Sequence, residues 1–403
     1  MGRHYTVREF FRQMPNALLV RYFERREVLD YLDFEAIADT DPDELVAQWL
    51  SVSDDRRRAM DAEFQDIFAL SDESGFRAII DEADWHLAEE PQQRNAFVEH
   101  LSSLPSHFDR AMVTFLDYHQ FWRGAVQFHH ADSLSYWRKR LEMPRTRAAV
   151  DSTSLSELAT AISSHFHETE GRGKHCVVEP LRRGSRDYFF AYPEDYSQQS
   201  VEWDRGRFAR RPHNPAFEVI FVYEQEAGSL DVYCRGATKA LGPLQRMFAA
   251  IILDTANLES PARDERIYNL NPLRDRRFEF MYDEASGISD LRLRKLRLSS
   301  MTRKGERVTL EGDTIANRGA IHDFLARIGP GLPPRDFNVT MVELTARVST
   351  DPTRRPTNVT FRITHPNSCT LKYDEVGLRL RRMLSDSGIE PGEPESVARA
   401  AQA

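Results

Sequence analysis

The sequence predicts an α+β multidomain protein, an all-α bundle followed by antiparallel-sheet α+β domains built from recurring strand–strand–helix units. Three observations predict it. Residues 1–150 read as helices throughout. The stretch from Ala216 to Asp254 reads as two short apolar strands and an amphipathic helix. That order returns from about residue 289 and again from residue 337, the mark of sheets covered by helices. At 403 residues the chain exceeds one typical core, so several domains are expected. They are an acidic helical bundle over 1–150, an α+β domain with an antiparallel sheet over 151–262, a second α+β module with two strand–strand–helix units over 263–390, and a disordered tail over 391–403.

In the bundle, Thr6 and Glu9 form a capping box, in which hydroxyl and carboxylate reciprocally satisfy free N–H groups,. Phe10, Phe11 and Met14 make the apolar side, and Pro15 ends the helix,. Met60, Phe64, Ile67 and Phe68 repeat the stripe,. Phe108, Met112, Phe115, Leu116, His119, Trp122 and Val126 extend it over nearly five turns, with His119 on the apolar face,. Six to eight helices fit this length. The charged stretch from Arg138 to Arg147 closes the bundle, which puts the boundary near residue 150.

Ser154 and Glu157 cap the next helix, and Gly171 stops it,. Strands follow at 176–181 and 188–192. Residues 193–215 form a long connection, with a small hairpin around Asp204 and Gly206,. Val219 to Tyr223 is an unbroken apolar run, so this strand is expected to be covered on both faces,. Gly228 marks the hairpin turn, and Leu230 to Cys234 returns,. Pro243 opens a helix with Leu244, Met247, Phe248, Ile251 and Ile252 on one stripe,.

After residue 260 the strands lengthen. Leu291 and Leu293 alternate, then Leu296 and Leu298 continue on the other parity, which reads as a β-bulge at Arg294–Lys295,. A similar slip falls at Met341–Val342. Helices follow Asn317 and Asp374.

Apolar residues are 41% and charged residues 29%, a globular balance. No apolar run reaches the length that spans a bilayer,. The first residues hold no apolar signal core, and Cys176, Cys234 and Cys369 make neither a disulfide frame nor a metal knuckle,. These features point to the cytoplasm. The net charge is −9, and all of it lies in 1–150, which holds 18 Lys/Arg against 27 Asp/Glu. Residues 151–403 are balanced, so a wholly basic nucleic-acid binder is disfavoured and only local cationic clusters remain,.

Phosphate-loop, nucleophile-elbow, dinucleotide and zinc-protease motifs are absent, and no motif asks for a cofactor,. A metal-like grouping is His165, His167, Glu168 and His175. The two helical histidines sit about 200° apart, so they converge on an ion only if the helix frays there. The stronger feature is positional. Three hairpin tips are basic, carrying Arg182, Arg183 and Arg186, then Arg303, Lys304 and Arg307, then Arg354 and Arg355. The long connection adds Arg205, Arg207, Arg210 and Arg211, interleaved with Trp203 and Phe208. Guanidinium forks match phosphate oxygens and aromatic faces stack bases. Charged turns also serve simply to keep sheet edges apart.

The expectation is a non-catalytic binding or assembly component of a bacterial cytoplasmic multi-protein system, phage defence being one such setting. It contacts nucleic acid or a partner through those basic loops, while the acidic bundle meets partner proteins or further copies. The alternatives are a metal-dependent nuclease or hydrolase using the His/Glu group near 165–175, and a purely structural protein–protein subunit.

Overall fold

The computed structural model describes residues 4–29, 31–34, 37, 42–204, 206–236, 238–258, 267–349 and 356–390. The expected tail over 391–403 lies outside them, as do Arg205, Arg354 and Arg355. The architecture is α+β: helices first, then a large antiparallel sheet with helices. The chain divides into two compact units. One comprises Met1–Ser133 with Leu181–Gly184 and Gln199–His213, and the other holds the rest.

The helical unit carries α1 (Val7–Gln13), α2 (Asn16–Arg26), α3 (Asp43–Ser51), α4 (Asp54–Leu70), α5 (Glu73–His86), α6 (Pro91–Ser103), α7 (His107–Asp117) and α8 (Trp122–Ser133). Thr6 caps α1, its hydroxyl accepting from the Glu9 N–H at 3.1 Å. The Glu9 carboxylate instead takes Arg12 and Gln13, so the box is only half made. The core here is aromatic. Phe64 of α4 stacks on Phe10 at 4.4 Å and meets Tyr22 at 5.0 Å and Trp49 at 5.2 Å. The five-turn helix expected over 108–126 breaks at Tyr118 into α7, a 3-10 turn and α8. His119 therefore leaves the apolar stripe and is exposed, its ring nitrogen 3.2 Å from the Phe115 carbonyl.

After α8 the chain runs through β1 (Trp137–Arg140) and α9 (Ser152–Glu170). Then come β2 (Val178–Arg183) and β3 (Arg186–Ala191), the ribbon strands β4 (Gln198–Asp204) and β5 (Arg207–His213), and β6 (Val219–Glu224), β7 (Ser229–Cys234) and α10 (Leu241–Ile252). The last part is β8 (Ile288–Ser300), β9 (Arg307–Glu311), α11 (Ala320–Ile328), β10 (Phe337–Val348), β11 (Thr357–Thr364), β12 (Ser368–Cys369) and α12 (Glu375–Asp386). Ten strands form one sheet in the order β2-β3-β6-β7-β1-β12-β11-β10-β8-β9, and β4 and β5 form a separate pair. Strands of 151–262 and of 263–390 thus share a single sheet, with β1 between the two halves.

Helices α9 and α10 cover the first half, where Phe248 meets Phe189 at 5.2 Å and Phe221 at 5.1 Å. Val219 to Tyr223 is buried at every position, as a strand covered on both faces must be,. Gly228 turns the β6–β7 hairpin at φ +56°, and a Cβ there would sit 2.9 Å from the Met143 carbonyl oxygen, so both backbone and space require glycine. Asp151, not Ser154, caps α9, accepting from the N–H groups of Thr153 and Ser154 at 3.0 Å. In the second half, Glu343 pairs with Lys295 while Leu344 pairs with Leu293, leaving Arg294 as the extra residue of a bulge. A second shift leaves Thr340 unpaired.

The strand that the sequence hides is β1. Trp137 is buried against Tyr373 at 5.1 Å, and Arg138 and Lys139 pair with Val232 and Asp231 of β7. The Lys139 ammonium also pairs with Glu390. Arg381 lies in the same buried cluster, its guanidinium 4.4 Å from the Tyr373 ring and donating to the Leu371 carbonyl at 2.9 Å. Among the described residues, no helix is long and apolar enough to cross a membrane.

Candidate nucleic-acid interface

The ribbon is built by local rules. Val201 and Trp203 alternate along β4 and Phe208 lies at the start of β5, and Gly206 takes φ +74° in the turn between them, as a tight hairpin demands. Trp203 and Phe208 flank that turn, edge to face, with ring centroids 5.7 Å apart at 70°. Side chains alternate along each strand. Val201 therefore shares the face of Trp203, and Arg210 shares the face of Phe208. These apolar groups are open: Trp203 is 68% exposed, Val201 63% and Phe208 56%. Large apolar side chains left out this far mark a contact surface when they cluster. On the other face Arg211 pairs with Glu202 at 3.3 Å. Arg207 and Arg210 are exposed and have no ion pair among the described residues.

The remaining basic residues fare differently. Arg183 is an anchor within the helical unit. Its Nε donates to Asp81 at 2.7 Å, and its Nη1 donates to both oxygens of the buried Asp132 at 2.8 and 2.9 Å. Arg182 is half-buried, its guanidinium 5.4 Å from the Trp85 ring. Arg186 pairs with Glu224 at 3.4 Å. Arg303 approaches Glu306 at 3.8 Å, while Lys304 and Arg307 are exposed with no ion pair among the described residues.

The sheet register locates these tips. Arg186 pairs with Glu224, Arg140 with Leu230, Arg138 with Ser368, Met341 with Thr364 and Phe337 with Ser300. Arg186 and the β8–β9 tip are thus at the same end of the sheet, but at opposite edges, with six strands between them. At about 4.8 Å per strand step the gap is about 34 Å. Arg354 and Arg355 lie outside the described residues. The two described tips, β2–β3 and β8–β9, do not form one continuous patch. What the structure brings together is the ribbon set.

The histidine group does not converge. Helix α9 runs unbroken through His165, His167 and Glu168 to Glu170, and Gly171 caps it at φ +71°. His175 is largely exposed, 3.9 Å from Glu194. Among the described residues no three or more His, Cys, Asp or Glu side chains are grouped to hold a metal ion.

The cysteines are all free. Burial pushes the Cys176 and Cys234 thiols up to about 12, and raises that of the fully buried Cys369. A thiol, unlike a thiolate, is a poor nucleophile. Folded protein at pH 8 is therefore expected to react with a disulfide reagent at least about a hundredfold more slowly than the same protein in urea. A fast-reacting thiol in the folded protein would contradict this burial.

No family model matches the chain, and no curated protein is similar to it in sequence.

Proposed function

We propose that the protein is a non-catalytic binding component that holds single-stranded nucleic acid on the aromatic face of its ribbon. The observation that carries this reading is the open Trp203–Phe208 pair beside Arg210. Unpaired bases expose their π-faces and stack on such rings whatever their sequence, while cations meet the phosphates. Arg210 on that face and Arg207 at the turn carry charge that no neighbouring carboxylate offsets among the described residues. A duplex keeps its bases stacked on each other, so the aromatic pair selects for single strands. The reducing cytoplasm is the compartment that three unpaired cysteines suit,.

Fluorescence anisotropy with a labelled oligothymidylate tests the reading. Trp203→Ala is expected to weaken binding about tenfold, the loss of one stacked base. The double variant Arg207→Glu, Arg210→Glu is expected to weaken it further and to flatten its salt dependence. Absence of binding by the unmodified protein at low salt would defeat the proposal. So would equal affinity in all three proteins. Polyglutamate that binds as tightly as the oligonucleotide, with no response to Trp203→Ala, would assign the ribbon to an acidic protein instead.

A further inference from the structure

The C-terminal half of the large sheet buries one face under α11 and α12, through Leu291, Leu293, Leu344 and Phe361. Its other face is polar and open. Register places Arg292, Thr345 and Thr360 in one row across β8, β10 and β11, and Asp290, Arg347 and Asn358 in the next. Alternation from Asp290 and Arg292 carries Arg294 to the same surface,, and the bulge after it keeps Lys295 on that side too,. With the loop after β9 these residues line a cleft of about 610 Å³, the size that holds a small organic ligand.

We infer that this cleft is a second binding site, one that takes the phosphate monoester of a nucleotide-sized ligand. Its charges are arranged for that group. Asp290 is already held, by Arg292 and by Arg318 at 3.3 Å. Asp313 accepts from the N–H groups of Ile315 and Ala316 at 3.0 and 3.2 Å. Arg294 and Arg347 are exposed and have no ion pair among the described residues. Two guanidinium forks match the two charges of a monoester. The Thr345 and Thr360 hydroxyls, 2.8 Å apart, add donors between the strands. Ile315 at the rim is 85% exposed and gives a base or sugar an apolar surface. The two acids in the wall disfavour a long polyanion lying across the cleft, so a single terminal phosphate is the group that fits. The site shares no residue with the ribbon and stands or falls without it.

Isothermal titration of the full chain with inorganic phosphate, adenosine monophosphate, adenosine, and one short oligonucleotide bearing either a 5′-phosphate or a 5′-hydroxyl tests the assignment. The phosphate-bearing probes are expected to bind, with adenosine and the 5′-hydroxyl strand at least about tenfold weaker. Tightest binding by the mononucleotide, or by the 5′-phosphorylated strand, then names the natural source of the phosphate. Arg294→Ala with Arg347→Ala is expected to abolish that preference. Lysine at both positions, which keeps charge but loses the fork, is expected to recover only part of it. Trp203→Ala, which disables the ribbon, serves to subtract strand binding there. Equal binding of adenosine and adenosine monophosphate, absence of binding by every phosphate-bearing probe, or a double-alanine variant that still prefers phosphate would each overturn the proposal.

Discussion

Lys139→Met is expected to destabilise the sheet unit by about 3–5 kcal/mol, because it leaves buried carboxylates without their counter-charge. Lys139 sits on the central strand, opposite Asp231 and paired with Glu390. Burial alone would lower its ammonium, but the carboxylates of Asp231 and Glu390 outweigh burial and hold its pKa above the ordinary lysine value. A lysine raised on folding stabilises the fold fully below its unfolded pKa, about 10.4. That contribution is lost as pH rises through the folded value. The gap between Lys139→Met and the unmodified protein should thus be full at neutral pH and close only under strongly alkaline conditions. Urea titration followed by tryptophan fluorescence measures it. The double variant Lys139→Met, Glu390→Met should recover much of the loss, since fewer buried charges stay uncompensated. A single variant as stable as the double would show that the pair matters little.

In the helical unit the largest loss is expected at Phe64. Its ring is packed by Phe10, Phe11, Tyr22, Phe23 and Trp49. Phe64→Ala removes a filling that these five rings cannot collapse to replace, at about 3–5 kcal/mol. Phe64→Leu keeps most of the volume and should cost clearly less. Thermal melts by circular dichroism separate the two. A loss below about 1 kcal/mol for the alanine variant would mean that the ring is not central to the packing.

What could be read in advance follows from whether its cause is local. The strand–strand–helix units were legible because apolar spacing changes from two to 3.6 along them. So was the bulge at Arg294, since a parity slip is visible in the leucines alone. Strand β1 was not legible. Trp137 to Arg140 carries three cations in four residues and reads as a solvated linker, and the acids that let it be buried lie on β7 and at Glu390. The pairing of Arg183 was hidden in the same way. Arg183 looks available in sequence, but its partners Asp81 and Asp132 lie 102 and 51 residues away. The ribbon was legible because turn glycine, strands and aromatics are contiguous. The cleft was not, because its rows exist only once three strands are in register.

Strand β1 also governs how the two halves become one object. It is inserted between β7 and β12, with Trp137 against Cys369 across more than half the chain. Until it arrives, β7 and β12 each present an open edge, ready to pair with another molecule. Closing so distant a contact is slow, because chain entropy is lost before any ladder hydrogen bond forms. The joining of the halves is therefore expected late in folding, after the local hairpins on either side.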